Sequence, residues 1–290
     1  MDVTTNPPSK LEKLRALPLN QVPGFVVKSA LGRLTRGWRS SIFALSDSLG
    51  NSQRKLQVRG INIILGVGSE IEHYRAQSFE TKEPETLDWI DEEFKPGEIL
   101  YDIGANVGVY TLYASLKNPR GQVYSFEPEC QNFARLCKNL WANKINNVIP
   151  CNFALSEKTE ANHFYVSAKE LGSSMHSFGR VSEYQGARPV ALKQGVFGVS
   201  LDELVSKFDY PQPTLLKIDV DGLEPEILAG ARRTLEHSKL RSVLVELSQS
   251  HKKFDSIMND LSQLGFQLHR KSNWIYQEMG QTMQNYIFKK

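Results

Sequence analysis

Apolar residues along this chain fall in short runs separated by amphipathic stretches, which is the pattern of strands and helices following one another. The run from Ile99 to Ile103 reads as a buried parallel strand, and Gly104, Ala105, Asn106 and Gly108 then turn tightly toward a helix. Residues 123–128 form a second short strand ending in an acid, Glu127, and 147–152, 214–220 and 242–247 repeat the form. Between them, Leu87, Ile90 and Phe94 share the face of a helix that Pro84 opens and Lys95-Pro96-Gly97 stops. Pro128 opens another helix, whose Phe133, Leu136, Cys137, Leu140 and Trp141 recur at helical spacing as a core-facing stripe. On this reading its cysteines are packing groups. Ser200-Leu201-Asp202-Glu203 is a capping box. A helix from Pro225 turns Ile227, Leu228, Ala231 and Leu235 inward, and one carrying Phe254, Ile257, Met258, Leu261 and Leu264 is closed by Gly265. Residues 266–269 and 286–288 read as a terminal antiparallel pair. Such alternation predicts a parallel-dominated α/β sheet flanked by helices on both faces.

Two stretches depart from that rhythm. Residues 161–166 alternate like a strand, but 167–198 are polar, carry five glycines and include Gly172-Ser173-Ser174-Met175-His176-Ser177. A connection this long between sheet strands is expected to be functional, here an excursion over the sheet edge that helps form an acceptor pocket. Residues 1–80 read as an accessory segment preceding a domain at 81–290. A helix is expected over 25–45 and a hairpin over 58–67. Lys28, Arg33, Arg36 and Arg39 have no acidic neighbour between Gln21 and Ser46. That basic amphipathic face suits packing on the domain, on a second subunit in a homo-oligomer, or on an anionic membrane surface.

The spacing of the first loop restricts its ligand. A dinucleotide fingerprint is G-x-G-x-x-G, with the second glycine bare so that backbone approaches a pyrophosphate. Here Asn106 occupies that slot, and Asp102 brings a carboxylate that repels phosphate and attracts a cation. S-adenosylmethionine carries an ammonium and a sulfonium and no phosphate, and suits such a loop. Glu127 follows Gly104 at roughly the 20-residue distance of a ribose-binding acid, whose carboxylate accepts both sugar hydroxyls.

Three stretches in order, Asp102-Ile103-Gly104-Ala105-Asn106-Val107-Gly108, Phe126-Glu127-Pro128 and Leu216-Lys217-Ile218-Asp219-Val220-Asp221-Gly222, resemble the FkbM family of S-adenosylmethionine-dependent methyltransferases. The resemblance spans roughly residues 81–247 with an echo at 285–288. It implies a Rossmann-like seven-stranded class I methyltransferase sheet, mostly parallel with its last strand reversed, and O-methylation of a hydroxyl on a sugar, glycan precursor or natural product. It places Asn152 and Ala154 beside the adenine, although Asn152 is equally a turn residue. Position 221 departs from the commonest family motif, Ile-Asp-x-Glu-Gly, by carrying aspartate.

The bulk numbers leave this picture intact. Hydrophobic residues at 40% and charged residues at 23% describe a globular chain, and a net charge of +3 offers no basic stripe for nucleic acid. Cys130, Cys137 and Cys151 are odd in number and lack metal-ligand spacing. A reducing cytoplasm is the expected compartment. No export signal and no spanning helix are read.

Methyl transfer from a sulfonium is an in-line displacement, so the acceptor must sit opposite the sulfur–methyl bond. A hydroxyl must also lose its proton. Candidate bases are Asp219, Asp221, Glu224, His176 and His251, with Asp219 leading because it stands at a strand tip within the family motif. Its alternative role is an ion pair, for instance with Lys217. Asp219 and Glu246, at adjacent strand tips, are a candidate pair for Mg²⁺. Two rival functions remain open, a nicotinamide-dependent oxidoreductase and a non-catalytic cofactor-binding scaffold.

Overall fold

The computed structural model describes residues 52–181, 190–272, 276–278 and 281–290. The chain divides into two units at residue 52, of which the second, Gln53–Lys290, is described. The helix expected over 25–45 lies outside the described residues.

The second unit opens with a hairpin, β1 (Gln53–Val58) and β2 (Ile61–Gly66). It turns at Arg59 and Gly60, whose φ values of 47° and 81° are those of the two-residue turn that matches strand twist. The hairpin therefore begins before the expected 58–67, with its turn where the first strand was expected. Helices α1 (Glu70–Gln77) and α2 (Pro84–Glu93) follow. The alternating portion is then β3 (Ile99–Ile103), α3 (Val109–Lys117), β4 (Gln122–Phe126), α4 (Cys130–Ala142) and β5 (Val148–Cys151). A smaller sheet interrupts it: β6 (Ala154–Leu155), β7 (Glu160–Val166), β8 (Ser177–Phe178) and β9 (Leu192–Val199), in the order β6-β9-β7-β8. The chain resumes with α5 (Leu201–Lys207), β10 (Leu215–Ile218), α6 (Glu224–Ala229), α7 (Arg232–Glu236), β11 (Ser242–Ser248) and α8 (Phe254–Gln263). It closes with β12 (Gln267–Lys271), β13 (Tyr276–Glu278) and β14 (Gln281–Lys289).

The main sheet runs β12-β14-β11-β10-β3-β4-β5, with β13 paired to β14. β5, β4, β3, β10 and β11 are parallel neighbours, and β14 is antiparallel to both β11 and β12. The sheet thus has a mostly parallel seven-strand path in which the reversed last strand, β14, lies between β11 and β12.

The period of two along each strand sorts the core into two layers. Tyr101, Ile103, Phe126, Ile218, Val243 and Val245 pack toward α5 to α8, while Leu100, Val123, Leu215 and Leu244 pack toward α2, α3, α4 and the hairpin. Asp102 and Lys217 fall on the second face and are register partners across β3 and β10. Two polar side chains thus stand inside an apolar layer.

Two expectations change. Trp141 is 75% exposed, so α4 is rotated away from the apolar stripe. Its inward face carries Asn132, Arg135 and Asn139 beside Leu136 and Leu140. The reason is the hairpin's need for partners: Asn139 Oδ1 accepts from the Gly66 amide at 2.9 Å and its Nδ2 donates to the Val107 carbonyl at 2.8 Å. Of the cysteines, Cys130 is exposed, Cys137 half-buried and Cys151 buried. The helix expected from Pro225 through Leu235 breaks in two at Gly230, where a Cβ would stand 2.3 Å from the Ser156 carbonyl oxygen.

Candidate functional site

The loop after β3 is shaped by close contacts. Gly104 and Ala105 amides both donate to the Phe126 carbonyl at 3.0 Å. Gly104 has a φ of +82°, and a Cβ there would lie 1.8 Å from the Asp219 carbonyl oxygen, so only glycine lets β3 and β10 end side by side. Asn106 adopts a φ of 51° and fastens the loop three ways. Its side chain donates to the Ser173 carbonyl at 2.8 Å and accepts from the Val107 amide at 2.9 Å, and its own amide donates to Glu127 Oε2 at 2.8 Å.

Glu127, just beyond β4, is buried and lines the resulting cavity. Its other oxygen accepts from the Glu129 amide at 2.8 Å. Burial pushes its carboxyl up to about 8, against the pull of those two amides. A carboxylate so placed is oriented by backbone and stabilised further by any ligand hydroxyl that donates to it.

The cavity, of about 920 Å³ including its open mouth, sits at the C-terminal edge of β3, β4, β10 and β11. Gly104, Asn106, Glu127, Ala154, His176, Asp219 and Asp221 all line it. Apolar walls come from Phe126, Phe153, Phe164 and Phe178. Ala105 lines a smaller cavity alongside.

Five expected site residues stand apart from the main cavity. Asp102 is buried beneath the loop, accepting from Thr111 Oγ1 at 2.6 Å and lying 3.5 Å from Lys217 Nζ, because alternation turns it toward α3. It is a counter-charge in the core. Gly108 caps α3 at a φ of +90° against Leu136. Asn152 is exposed and donates to the Glu127 and Pro128 carbonyls at 2.8 and 3.2 Å, the turn role that its position allows. Glu224 accepts from the Val220 and Gly222 amides at 3.0 and 3.2 Å, and burial pushes it up to about 8. His251 Nδ1 accepts from the Lys253 amide at 3.1 Å, also outside the cavity wall.

The three candidate bases that do line the cavity are already occupied. His176 is buried, with Nδ1 within 3.1 Å of the Ser167 amide and Nε2 3.2 Å from Ser173 Oγ. Burial lowers its pKa to about 4, so the ring is neutral and positions the excursion. Asp221 Oδ2 accepts from the Met175 amide at 2.6 Å. Asp219 Oδ2 lies 3.0 Å from Lys217 Nζ. Burial works against its charge, but Lys217 and then Lys82 hold its carboxyl below the ordinary range. The ion-pair role is thus the observed one.

Arg75, Lys82 and Glu246 complete the wall. The first two come from α1 and the connection after it, which no chemical motif in the sequence marks. The local signal was a capping pattern, Ser69 accepting from the Glu72 amide at 3.0 Å, which announces the helix without its function. Glu246, in β11 just past its pairing with β10, is driven well above the usual carboxylate range by burial, with Asp219 and Glu83 adding to the shift. Among the described residues, no group of three or more histidines, cysteines or acids is placed to hold a metal, and no helix is long and apolar enough to cross a membrane.

The model of the methyltransferase FkbM domain matches residues 102–268, from the buried aspartate of β3 to β12. The chain belongs to the FkbM methyltransferase family. Among FkbM-like relatives, hexuronic acid methyltransferase AglP of Haloferax volcanii is 29% identical over 156 residues, 54% of this chain and 58% of its own length. The 31-O-demethyl-FK506 methyltransferase FkbM of Streptomyces tacrolimicus is 26% identical over 53% of this chain and 67% of its own. The 2-O-methyltransferase NoeI of Sinorhizobium fredii is 28% identical over 53% and 65%. The match thus spans somewhat over half the first relative's length. The FkbM domain's loop is a cradle that a Cβ at Gly104 would fill, beside a buried, backbone-oriented acid, with Asp219 and Asp221 lining the same cavity. These features fit a nucleoside cofactor without phosphate.

Proposed function

We propose that this chain transfers the methyl group of S-adenosylmethionine to a hydroxyl of a sugar, glycan precursor or small natural product. The observation that carries the reading is Glu127, buried in the cavity wall with each oxygen aligned by a backbone amide, which suits a ribose diol. Asn106, side chain in the slot where a dinucleotide needs bare glycine, supports the same choice over nicotinamide. The names of the relatives support a hydroxyl acceptor.

When bound, the cofactor supplies an electrophilic methyl on a sulfonium. Gly104 and Asn106 shape its bed, Glu127 holds the ribose, and Phe126, Phe153 and Ala154 give the adenine an apolar wall. The excursion over 170–176 roofs the cavity and limits water, with Asn106 and Asp221 as its fastenings. Glu246 is the group we assign to receive the acceptor's hydroxyl proton, since an elevated carboxyl is the stronger base once ionised. Asp219 stays anionic at the floor, where Lys217 supplies the positive charge beside it; we assign no Mg²⁺ there. A cytoplasmic setting and a role for 25–45 in peripheral or subunit contact belong to the same reading.

Calorimetric titration with S-adenosylhomocysteine tests it, with NAD as competitor. The wild type is expected to bind in the micromolar range regardless of NAD, and Glu127→Ala to bind at least about tenfold more weakly, the effect of losing two buried hydrogen bonds to the carboxyl. Absence of binding by folded wild-type protein sinks the proposal.

A further inference from the structure

Arg75 lies upstream of the residues matched to the family, in a segment with no recognisable chemistry in its sequence. Its side chain is nevertheless fixed over the cavity. Ser69 Oγ donates to the Leu171 carbonyl at 2.7 Å, and Glu170 Oε1 accepts from the Glu70 and Ile71 amides at 3.1 and 3.3 Å, so α1 and the 170–172 segment form one roof. Arg75 Nε donates to the Gly172 carbonyl at 2.8 Å, and the Gly172 amide donates in turn to Asn132 Oδ1 at 2.8 Å. This uses one of five guanidinium donors and aims a half-buried cation at the space beneath.

Asp219, oriented through one oxygen by Lys217, lines the same cavity. Arg75, Lys82, Asp219, Gly104 and Asn106 line both the main cavity and the smaller one beside it, so Arg75 and Asp219 border a common space next to the glycine turn. The neighbouring cation, Lys82, lies 3.0 Å from Glu83 and also acts on Asp219, so its charge is shared between them. A fixed cation and a fixed anion across one half-buried space match a zwitterion. A phosphate would meet Asp219, and a neutral sugar has no use for the guanidinium.

We infer that Arg75 and Asp219 are the two poles of a subsite for an α-amino acid group, Arg75 receiving the α-carboxylate and Asp219 the α-ammonium of the cofactor's methionyl end. This rests on the S-adenosylmethionine reading above. It makes α1, outside the matched family domain, part of the cofactor site, since a guanidinium pairs with a carboxylate through parallel N–H donors.

The test compares S-adenosylhomocysteine with its analogue lacking the α-carboxylate, the 3-aminopropylthio adenosine, by calorimetry without acceptor. Wild type is expected to prefer the carboxylate form by about thirtyfold or more. Arg75→Gln, which keeps a donor for the Gly172 carbonyl, reduces that preference below about threefold by weakening only the carboxylate ligand, and Arg75→Lys restores part of it. Thermal melting establishes that both variants are folded. An unchanged preference in Arg75→Gln overturns the assignment. So does equal weakening of both ligands, which would mean that Arg75 acts only through the 170–172 segment. Failure of the wild type to bind either ligand strikes the cofactor reading itself.

Discussion

Glu246→Gln lowers kcat for the acceptor by about two to four orders of magnitude, while S-adenosylhomocysteine binding stays within about threefold. Glu246 lies in β11 one residue past its last pairing with β10, as Asp219 lies one past the end of β10, and both line the cavity. Burial drives its pKa well up, with Asp219, Glu83 and Glu224 raising it further and Lys82 opposing them. The sign follows: a carboxyl raised by burial ionises only as pH climbs past the ordinary carboxylate range, so turnover rises with pH along a limb set by this group. The positive sulfonium of a bound cofactor draws that limb downward. Glutamine keeps the shape and cannot ionise, so the variant's residual rate is flat where the wild type's rises. Rate profiles of both proteins over pH, with binding measured alongside, decide the matter. A variant with wild-type kcat removes Glu246 from the chemistry.

Gly104→Ala abolishes measurable cofactor binding and destabilises the fold by about 3 kcal/mol or more, lowering Tm by about 10 °C. Its φ of +82° strains any L side chain, and the added methyl would lie 1.8 Å from the Asp219 carbonyl oxygen, a backbone atom that no rotamer change can move. Relief requires β3 and β10 to part at their tips, which displaces Asn106 from Glu127 and Asp219 from Lys217. Melting and titration of the variant are the checks. Gly60→Ala is the internal control, since its φ of +81° carries similar strain while nothing lies within 4 Å of the added carbon. If the two variants melt alike and both bind cofactor, crowding at Gly104 is not what the site depends on.

The alternation of apolar runs and amphipathic stretches was enough to place the parallel strands, because local period and burial agree wherever a strand is covered on both faces. Ile99–Ile103, Leu215–Ile218 and Ser242–Ser248 appear where the pattern put them. Gly104, Asn106 and Glu127 were legible for a related reason, since a tight turn and an acid about 20 residues on are constraints within one βαβ unit. The family resemblance rested on the same local stretches.

Tertiary structure decided the rest. α4 presents Asn139 where apolar spacing favoured Trp141, because the backbone of a distant hairpin needed hydrogen-bond partners. Asp102 and Asp219 look alike in sequence, yet register with Lys217 makes one a buried counter-charge and leaves the other at the cavity floor. Arg75 and Glu246 reach the same cavity from positions 171 residues apart, joined only by the packing of α1 beneath the 170–172 segment and by strand order. Local sequence determines the turn and the strands because their physics is set by neighbours along the chain. Charge, protonation and access at the site depend on which remote groups burial brings together.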